Sequence, residues 1–253
     1  MDLGLTDRVY VLSGASRGLG FATAQSLVAE GARVVVSARD PDQLSAAVDR
    51  LGGPERAAAA CADLTDPDTP GRLIGLARER FGRVDGALIS VGGPPRGAVA
   101  ETTDEQWRAS FETVFLGSVR LAREIAAVLP SGGALALVLS TSVRQPVDGL
   151  ALSNGLRPGL AAVAKDLADQ YGPRGVRVLS LLPGRIMTDR SRELFDAASD
   201  PQQARTDVAA AIPLRRLGDP AEFGRVAAFV LSPAASYLTG IAIPVDGGAV
   251  RGL

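Results

Sequence analysis

The chain has 253 residues, 46% of them hydrophobic, and a formal net charge of −1; it can bury a sizeable core, and its charge balance excludes an electrostatic case for nucleic acid or an anionic membrane surface. It has no histidine and one cysteine, Cys61, which excludes serine–histidine catalysis, a His/Cys metal cluster and an internal disulfide. Acid–base chemistry is left to Asp, Glu, Tyr, activated hydroxyls and Lys165, the sole lysine.

In chain order, RVYVLSG (8–14) is a short, β-branched apolar run that predicts a strand, followed by a helix over 18–30. ARVVVSA (32–38) predicts the second strand and 41–51 the second helix. RAAAACA (56–62) predicts a third strand, with Cys61 expected as a buried small hydrophobe, and a helix follows over 69–81. VDGALIS (84–90) then leads to a helix over 104–128, ALALVLS (134–140) to a helix over 151–171, and VRVLSLL (176–182) to a less regular stretch over 185–213. Asp219-Pro220 gives a cap and a first-turn proline for a helix over 219–231, and IAIPV (241–245) closes the series. Near-continuous apolar strands alternating with helices imply an α/β fold: a doubly wound, parallel, seven-stranded sheet with helices on both faces. No linker or repeat divides the chain, so residues 1–253 are expected as one domain, with 185–213 as a substrate lid at a strand's C-terminal edge. The absence of a secretory-type start or a bilayer-length apolar run makes the cytoplasm the expected location, with no membrane partner.

SGASRGLG (13–20) joins the first strand to the first helix. Gly14 allows a sharp turn, and Gly18 and Gly20 allow close approach to a pyrophosphate at the helix N-terminus. Ser16, Arg17 and Leu19 complete the cradle. A tight turn alone explains one glycine but not the spacing of three.

This Gly-x-x-x-Gly-x-Gly spacing resembles the short-chain dehydrogenase/reductase family, and the resemblance extends over nearly the whole chain. Asp63-Leu64 is similar to the adenine-contacting pair, and VDGALISVGG (84–93) to the fourth strand and its turn, which includes Gly92. LLPGRIMT (181–188) resembles the segment that cradles nicotinamide, implying roles for Pro183, Gly184, Ile186 and Thr188. IPLRRLGDPAEFG and SYLTGIAIPVDGG resemble the C-terminal third. The resemblance implies a Rossmann fold, a nicotinamide dinucleotide, a small-molecule substrate, and a homotetramer that buries the 241–246 strand and the 151–171 helix.

The second strand ends Ser37-Ala38-Arg39, where a carboxylate would accept from a ribose 2′-hydroxyl. Arg39 and Arg17 suit a 2′-phosphate instead, which favours NADP(H) over NAD(H). Asp40 argues the other way, since a slip of one residue brings a carboxylate to that place. Arg39 can also be read as a solvated charge.

The family's usual catalytic set is Asn, Ser, Tyr and Lys. By the resemblance, the Tyr place falls on Ser153, the Lys place on Arg157 and the Asn place on Val114, while the Asn-Ala-Gly turn reads Ser90-Val91-Gly92. The serine is kept as Ser140, with Ser142 as its rival if the loop is shorter. A serine hydroxyl is a far weaker acid than a phenol of pKa about 10, so Ser153 predicts weak proton transfer while Arg157 keeps a charge able to hold ribose. Arg144, Arg96 and Arg157 either converge on the pocket mouth for an anionic substrate, such as an acyl thioester, or are plain surface arginines. Tyr10, Tyr171 and Tyr237 read as core or interface residues. Three functions stay open: a reductase or dehydrogenase with a rearranged site, a silent NADP-binding sensor or scaffold, and a non-catalytic subunit of a mixed tetramer.

Overall fold

A computed structural model describes residues 1–252. One seven-stranded, wholly parallel sheet runs through it in the order β3-β2-β1-β4-β5-β6-β7. The strands are β1 (Val9–Ser13), β2 (Arg33–Ala38), β3 (Ala57–Cys61), β4 (Gly86–Ile89), β5 (Ala134–Val138), β6 (Arg177–Pro183) and β7 (Ala242–Val245). The helices between them are α1 (Gly18–Ala29), α2 (Pro41–Arg50), α3 (Thr69–Phe81), α4 (Asp104–Ser110), α5 (Gly117–Val128), α6 (Ala151–Tyr171), α7 (Asp189–Asp196), α8 (Pro201–Ala210) and α9 (Pro220–Leu231).

The two-residue period of a strand divides the core. Val9 and Val11 of β1 face a cluster with Leu73 of α3, Ile125 of α5 and Leu160 of α6. Tyr10 and Leu12 face the opposite cluster, with Leu27 of α1 and Phe223 of α9. Tyr10 is fully buried; its hydroxyl donates to the Leu231 carbonyl at 3.3 Å, and burial pushes its pKa up to about 12. Arg177 opens β6 as a buried clamp, donating to the carbonyls of Val230 (2.8 Å) and Ser232 (2.8 Å) at the end of α9.

Several expectations need correction. Cys61 is exposed, its thiol donating to the Arg39 carbonyl at 3.2 Å. β3 is an edge strand, so its outer residues lack a covering layer. The 104–128 stretch is not one continuous α-helix: Phe111–Leu116 winds as a π-helical turn between α4 and α5. The 185–213 stretch is more ordered than expected, holding α7, capped by Thr188, and α8, capped by Asp200. Of the three tyrosines read as core or interface residues, Tyr10 and Tyr171 are buried, while full exposure leaves Tyr237 only the interface reading. Among the described residues no helix is long and apolar enough to cross a membrane.

The sheet order reverses direction between β1 and β4, where a crevice opens at the strands' C-terminal ends. Ser13 Oγ closes its floor, donating to the Ser90 carbonyl (2.8 Å) and accepting from the Ser90 N–H (3.0 Å).

Candidate functional site

Each glycine of the turn has a separate cause. Gly14 takes φ +58°, and a Cβ there would lie 2.6 Å from the Ser90 carbonyl oxygen. Gly20 has an ordinary helical backbone, but a Cβ would stand 2.5 Å from the Gly14 oxygen. Gly18 takes φ +60° and faces only Thr188, at 3.9 Å. Among the described residues, the N–H groups of Ser16, Arg17, Gly18, Leu19 and Gly20 donate to no protein oxygen. A run of unpartnered donors at a helix N-terminus is an anion cradle, and it fits the pyrophosphate of a dinucleotide.

The ribose end follows at the close of β2. Asp40, the alternative carboxylate, is exposed and caps α2 through one oxygen, Oδ1 accepting from the N–H groups of Asp42 (3.0 Å) and Gln43 (3.1 Å). Ser16 Oγ lies 3.4 Å from Gln43 Oε1. Arg39 is exposed and enters no ion pair among the described residues. Arg17 reaches across the crevice to Glu193 on α7, 3.5 Å away. Asp63 accepts from the Thr65 N–H and hydroxyl, both at 2.9 Å. Those bonds, the backbone one first, hold its carboxyl below the usual range, with a smaller pull from Arg39. Arg120 of α5 fixes the neighbouring carbonyls of Leu64 (3.1 Å) and Thr65 (3.2 Å).

At the end of β6, the Gly184 N–H donates to the Val245 carbonyl at 3.0 Å, and a Cβ there would strike Asp246 at 2.6 Å. Pro183 ends the strand, and Ile186 is buried and bridged to Gly218. The Thr188 hydroxyl is spent on the start of α7, accepting from the Ser191 N–H (3.3 Å) and meeting Ser191 Oγ (3.0 Å). Arg190 donates to the Gly93 carbonyl at 3.0 Å, beside exposed Gly92, so α7 touches both the glycine turn and the loop after β4.

The four candidate catalytic residues lie close together. Ser140 accepts the Ser142 N–H at 3.1 Å and shapes the turn after β5. Ser142 Oγ lies 3.1 Å from Ser153 Oγ, and both residues are buried. Of the two rival serines, Ser142 is the one bonded to Ser153. Arg157, one turn along α6, is buried and donates through Nη1 to the carbonyls of Val138 and Leu139, each at 2.9 Å. Burial pushes its pKa down to about 10, still far enough above neutrality to keep it charged. Its other nitrogens make no protein hydrogen bond, yet none is both unpartnered and sealed from solvent. Val114 sits in the π-helical turn with its side chain in the core. Such turns recur at functional sites, but the valine side chain can hold no water there.

Sequence reasoning missed Asn154, although it lies between Ser153 and Arg157. Its Oδ1 accepts the Val147 N–H (3.0 Å) and its Nδ2 donates to the Val147 carbonyl (2.9 Å), a two-point clamp on the 144–150 loop. That loop is joined to the one after β4 by Gly97 N–H to Gly149 (2.9 Å) and Ala151 N–H to Gly97 (3.2 Å). Arg144 donates to the Ala242 carbonyl at 3.4 Å. Glu193 and Arg190 were also missed; no local pattern marks either.

A family model described as enoyl-(acyl carrier protein) reductase matches residues 14–250. An uncharacterised oxidoreductase of Mycobacterium tuberculosis is 33% identical over 250 residues, covering 96% of this chain and 92% of its own. The crystal structure of L-sorbose reductase from Gluconobacter frateurii, complexed with NADPH and L-sorbose, superposes with a TM-score of 0.91 at 29% identity over the whole of both chains. A short-chain oxidoreductase from Pseudomonas aeruginosa, described as containing an atypical catalytic center, superposes with a TM-score of 0.92 at 29% identity, again over both whole chains.

Proposed function

This chain belongs to the short-chain dehydrogenase/reductase family, and on that premise we propose that it is an NADP(H)-dependent oxidoreductase of a small-molecule carbonyl or alcohol, working without a phenol as proton donor. The observation that carries the cofactor choice is the paired arrangement at the ribose end. Asp40 spends one carboxylate oxygen on the cap of α2, while Arg39 is exposed and enters no ion pair among the described residues. A 2′-phosphate finds cations there, and the cap bonds already draw on the Asp40 carboxylate that a 2′-hydroxyl would use. NADPH, when bound, supplies the hydride. The unpartnered N–H run of residues 16–20 would hold its pyrophosphate, Arg17 and Arg39 its 2′-phosphate, and Asp63-Leu64 its adenine end. Pro183, Gly184, Ile186 and Thr188 would border its nicotinamide, near Gly92.

The chain's own acid–base capacity is small. Ser142 and Ser153 form a hydroxyl pair able to orient a carbonyl oxygen, but neither gives up a proton at neutral pH as readily as a phenol. Arg157 is anchored by its two carbonyl bonds, and its fixed positive charge favours an alkoxide near Ser153 without donating the proton. The atypical catalytic center of the similar Pseudomonas oxidoreductase supports reading this as a coherent variant centre.

Two measurements test the proposal together. Calorimetry should show NADPH bound and NADH bound weakly, and a turnover screen with NADPH across ketones should show slow but real oxidation of the cofactor. A positioned general acid contributes about 10²–10⁴-fold, so simple ketones should react well below the enzyme median of about 10 s⁻¹. Rates at that median would mean that another acid is at work. Binding with no turnover on any carbonyl would favour the silent NADP-binding reading.

A further inference from the structure

The loop after β3 is held from two helices. From α3, the buried Thr69 hydroxyl donates to the Asp63 carbonyl at 2.6 Å and accepts from Arg72 at 3.0 Å. From α5, Arg120 Nη1 donates to two consecutive carbonyls, Leu64 at 3.1 Å and Thr65 at 3.2 Å. The helix lies hard against the loop there: a Cβ on Gly117 would stand 2.7 Å from the Leu64 carbonyl oxygen and 2.8 Å from the Leu64 Cβ. Arg120 is half-buried and enters no ion pair among the described residues. Its hydrogen bonds go to main chain, not to a carboxylate.

Those bonds reach Asp63 through one peptide plane. The Leu64 carbonyl and the Thr65 N–H are the two ends of the same rigid, trans peptide unit. Arg120 holds the oxygen end, and the N–H end donates to Asp63 Oδ1 at 2.9 Å. The Thr65 hydroxyl donates to the same Oδ1, also at 2.9 Å. A tilt of that peptide therefore turns the carboxylate. Among the described residues Asp63 Oδ2 accepts no hydrogen bond and meets no cation at ion-pair distance. The bonds to Oδ1 keep the carboxyl ionised at neutral pH, so Oδ2 is a free acceptor held at a fixed angle.

We infer that Arg120 is a positioning residue for base selection: by pinning the 64–65 peptide it aims Asp63 Oδ2 at the 6-amino group of an adenine, so that the site takes an adenine dinucleotide over one whose base carries an oxygen in that place. This rests on the reading that gives Asp63-Leu64 the adenine end of the cofactor. A 6-amino group donates to the free carboxylate oxygen, whereas a 6-carbonyl leaves it unpaired and sets two acceptors against each other. Selection of this kind depends on direction, because a hydrogen bond weakens steeply once its angle falls below about 120°.

The test uses the full chain and two probes, NADP⁺ and nicotinamide hypoxanthine dinucleotide phosphate, in which a carbonyl replaces the 6-amino group. Calorimetry should show NADP⁺ bound about tenfold or more tighter by the parent, the scale of a hydrogen bond to a charged group. Arg120→Met keeps the length of the side chain and removes its donors. There the preference should fall to about threefold or less, while affinity for the hypoxanthine nucleotide stays within about twofold of the parent. Arg120→Lys, whose ammonium reaches one carbonyl, should give an intermediate preference. Amide exchange at Thr65 in the nucleotide-free chain should rise in Arg120→Met and rise less in Arg120→Lys; thermal melts check that each variant is folded. Should Arg120→Met fail to fold, the lysine variant decides: an intermediate preference supports the inference and an unchanged one overturns it. A preference that survives Arg120→Met, or an equal loss of both nucleotides, would make Arg120 a plain loop anchor and overturn the inference alone. Equal binding of both nucleotides by the parent would overturn the inference together with the adenine contact. Binding of neither would remove the dinucleotide reading from which it starts.

Discussion

At the scale of the residue, the proposed cofactor choice rests on Arg39, with one oxygen of Asp40 engaged in the α2 cap. Arg39→Asp should reverse the preference from NADPH to NADH, read by calorimetry on parent and variant. Equal affinity of the parent for both cofactors would remove the basis of the cofactor assignment. Asn154 carries a different burden. Its two bonds to Val147 are each worth about 0.5–1.5 kcal/mol, so Asn154→Ala should lower stability by about 1–3 kcal/mol. Amide exchange should then rise across 144–150; unchanged exchange there would mean that the Gly97 pairing alone holds the loop. These two residues also mark what a sequence can disclose. The glycines of 13–20 are legible because each answers a local steric demand, visible in spacing. Asn154 is not, because its partner is a backbone seven residues earlier whose path depends on where α6 begins. The choice between Ser140 and Ser142 was equally closed to counting, since the loop's length in space decides which hydroxyl meets Ser153.

At the scale of the element, the strands are legible because burial on both faces demands unbroken apolar runs, as in β1 and β5. Two features escaped for physical reasons. The π-helical turn at Phe111–Leu116 keeps the apolar pattern of the surrounding helices, so periodicity passes through it unmarked. α7 and α8 have no buried residues and hence no apolar stripe to betray them; their capping residues, Thr188 and Asp200, were the available signal. Element packing yields a sharper test at the contact of α1 with α9. Gly224 has ordinary helical geometry, but a Cβ there would stand 2.4 Å from the Ala22 carbonyl oxygen of α1. Alanine gains about 1 kcal/mol of helix propensity over glycine, while overpacking costs about 1–3 kcal/mol. Rigid backbone on the far side makes the second effect win, so Gly224→Ala should melt below the parent. A variant melting at or above the parent would show that the two helices separate freely.

At the scale of the whole molecule, apolar surface remains uncovered. Tyr237 is fully exposed, Ile241 is 41% exposed, and β7 forms a sheet edge with three of its four residues only half-buried. An apolar strand at an open edge invites pairing or coverage by another copy. We expect a homotetramer that covers β7 and part of α6, closed by point-group symmetry. Sedimentation should give the tetramer at micromolar concentration, and Ile241→Glu should shift it towards smaller species. A monomer in the parent would refute the assembly.

The contact between Arg17 and Glu193 gives the molecule a preferred order of events. It is a long, exposed pair, the kind that contributes about 0–1 kcal/mol and exchanges partners readily. One cation is therefore claimed by two anions, the carboxylate on α7 and the 2′-phosphate assigned to the same arginine. While the first holds it, α7 is tethered over the crevice through both Arg17 and Arg190. Once the second arrives, the tether loses one strand, and Arg190 alone holds α7 to the loop after β4. Loading should thus be sequential, dinucleotide before carbonyl compound, and product-inhibition kinetics should show NADP⁺ competing with NADPH alone. Glu193→Gln should blur that sequence into random entry, with unchanged inhibition patterns counting against the tether.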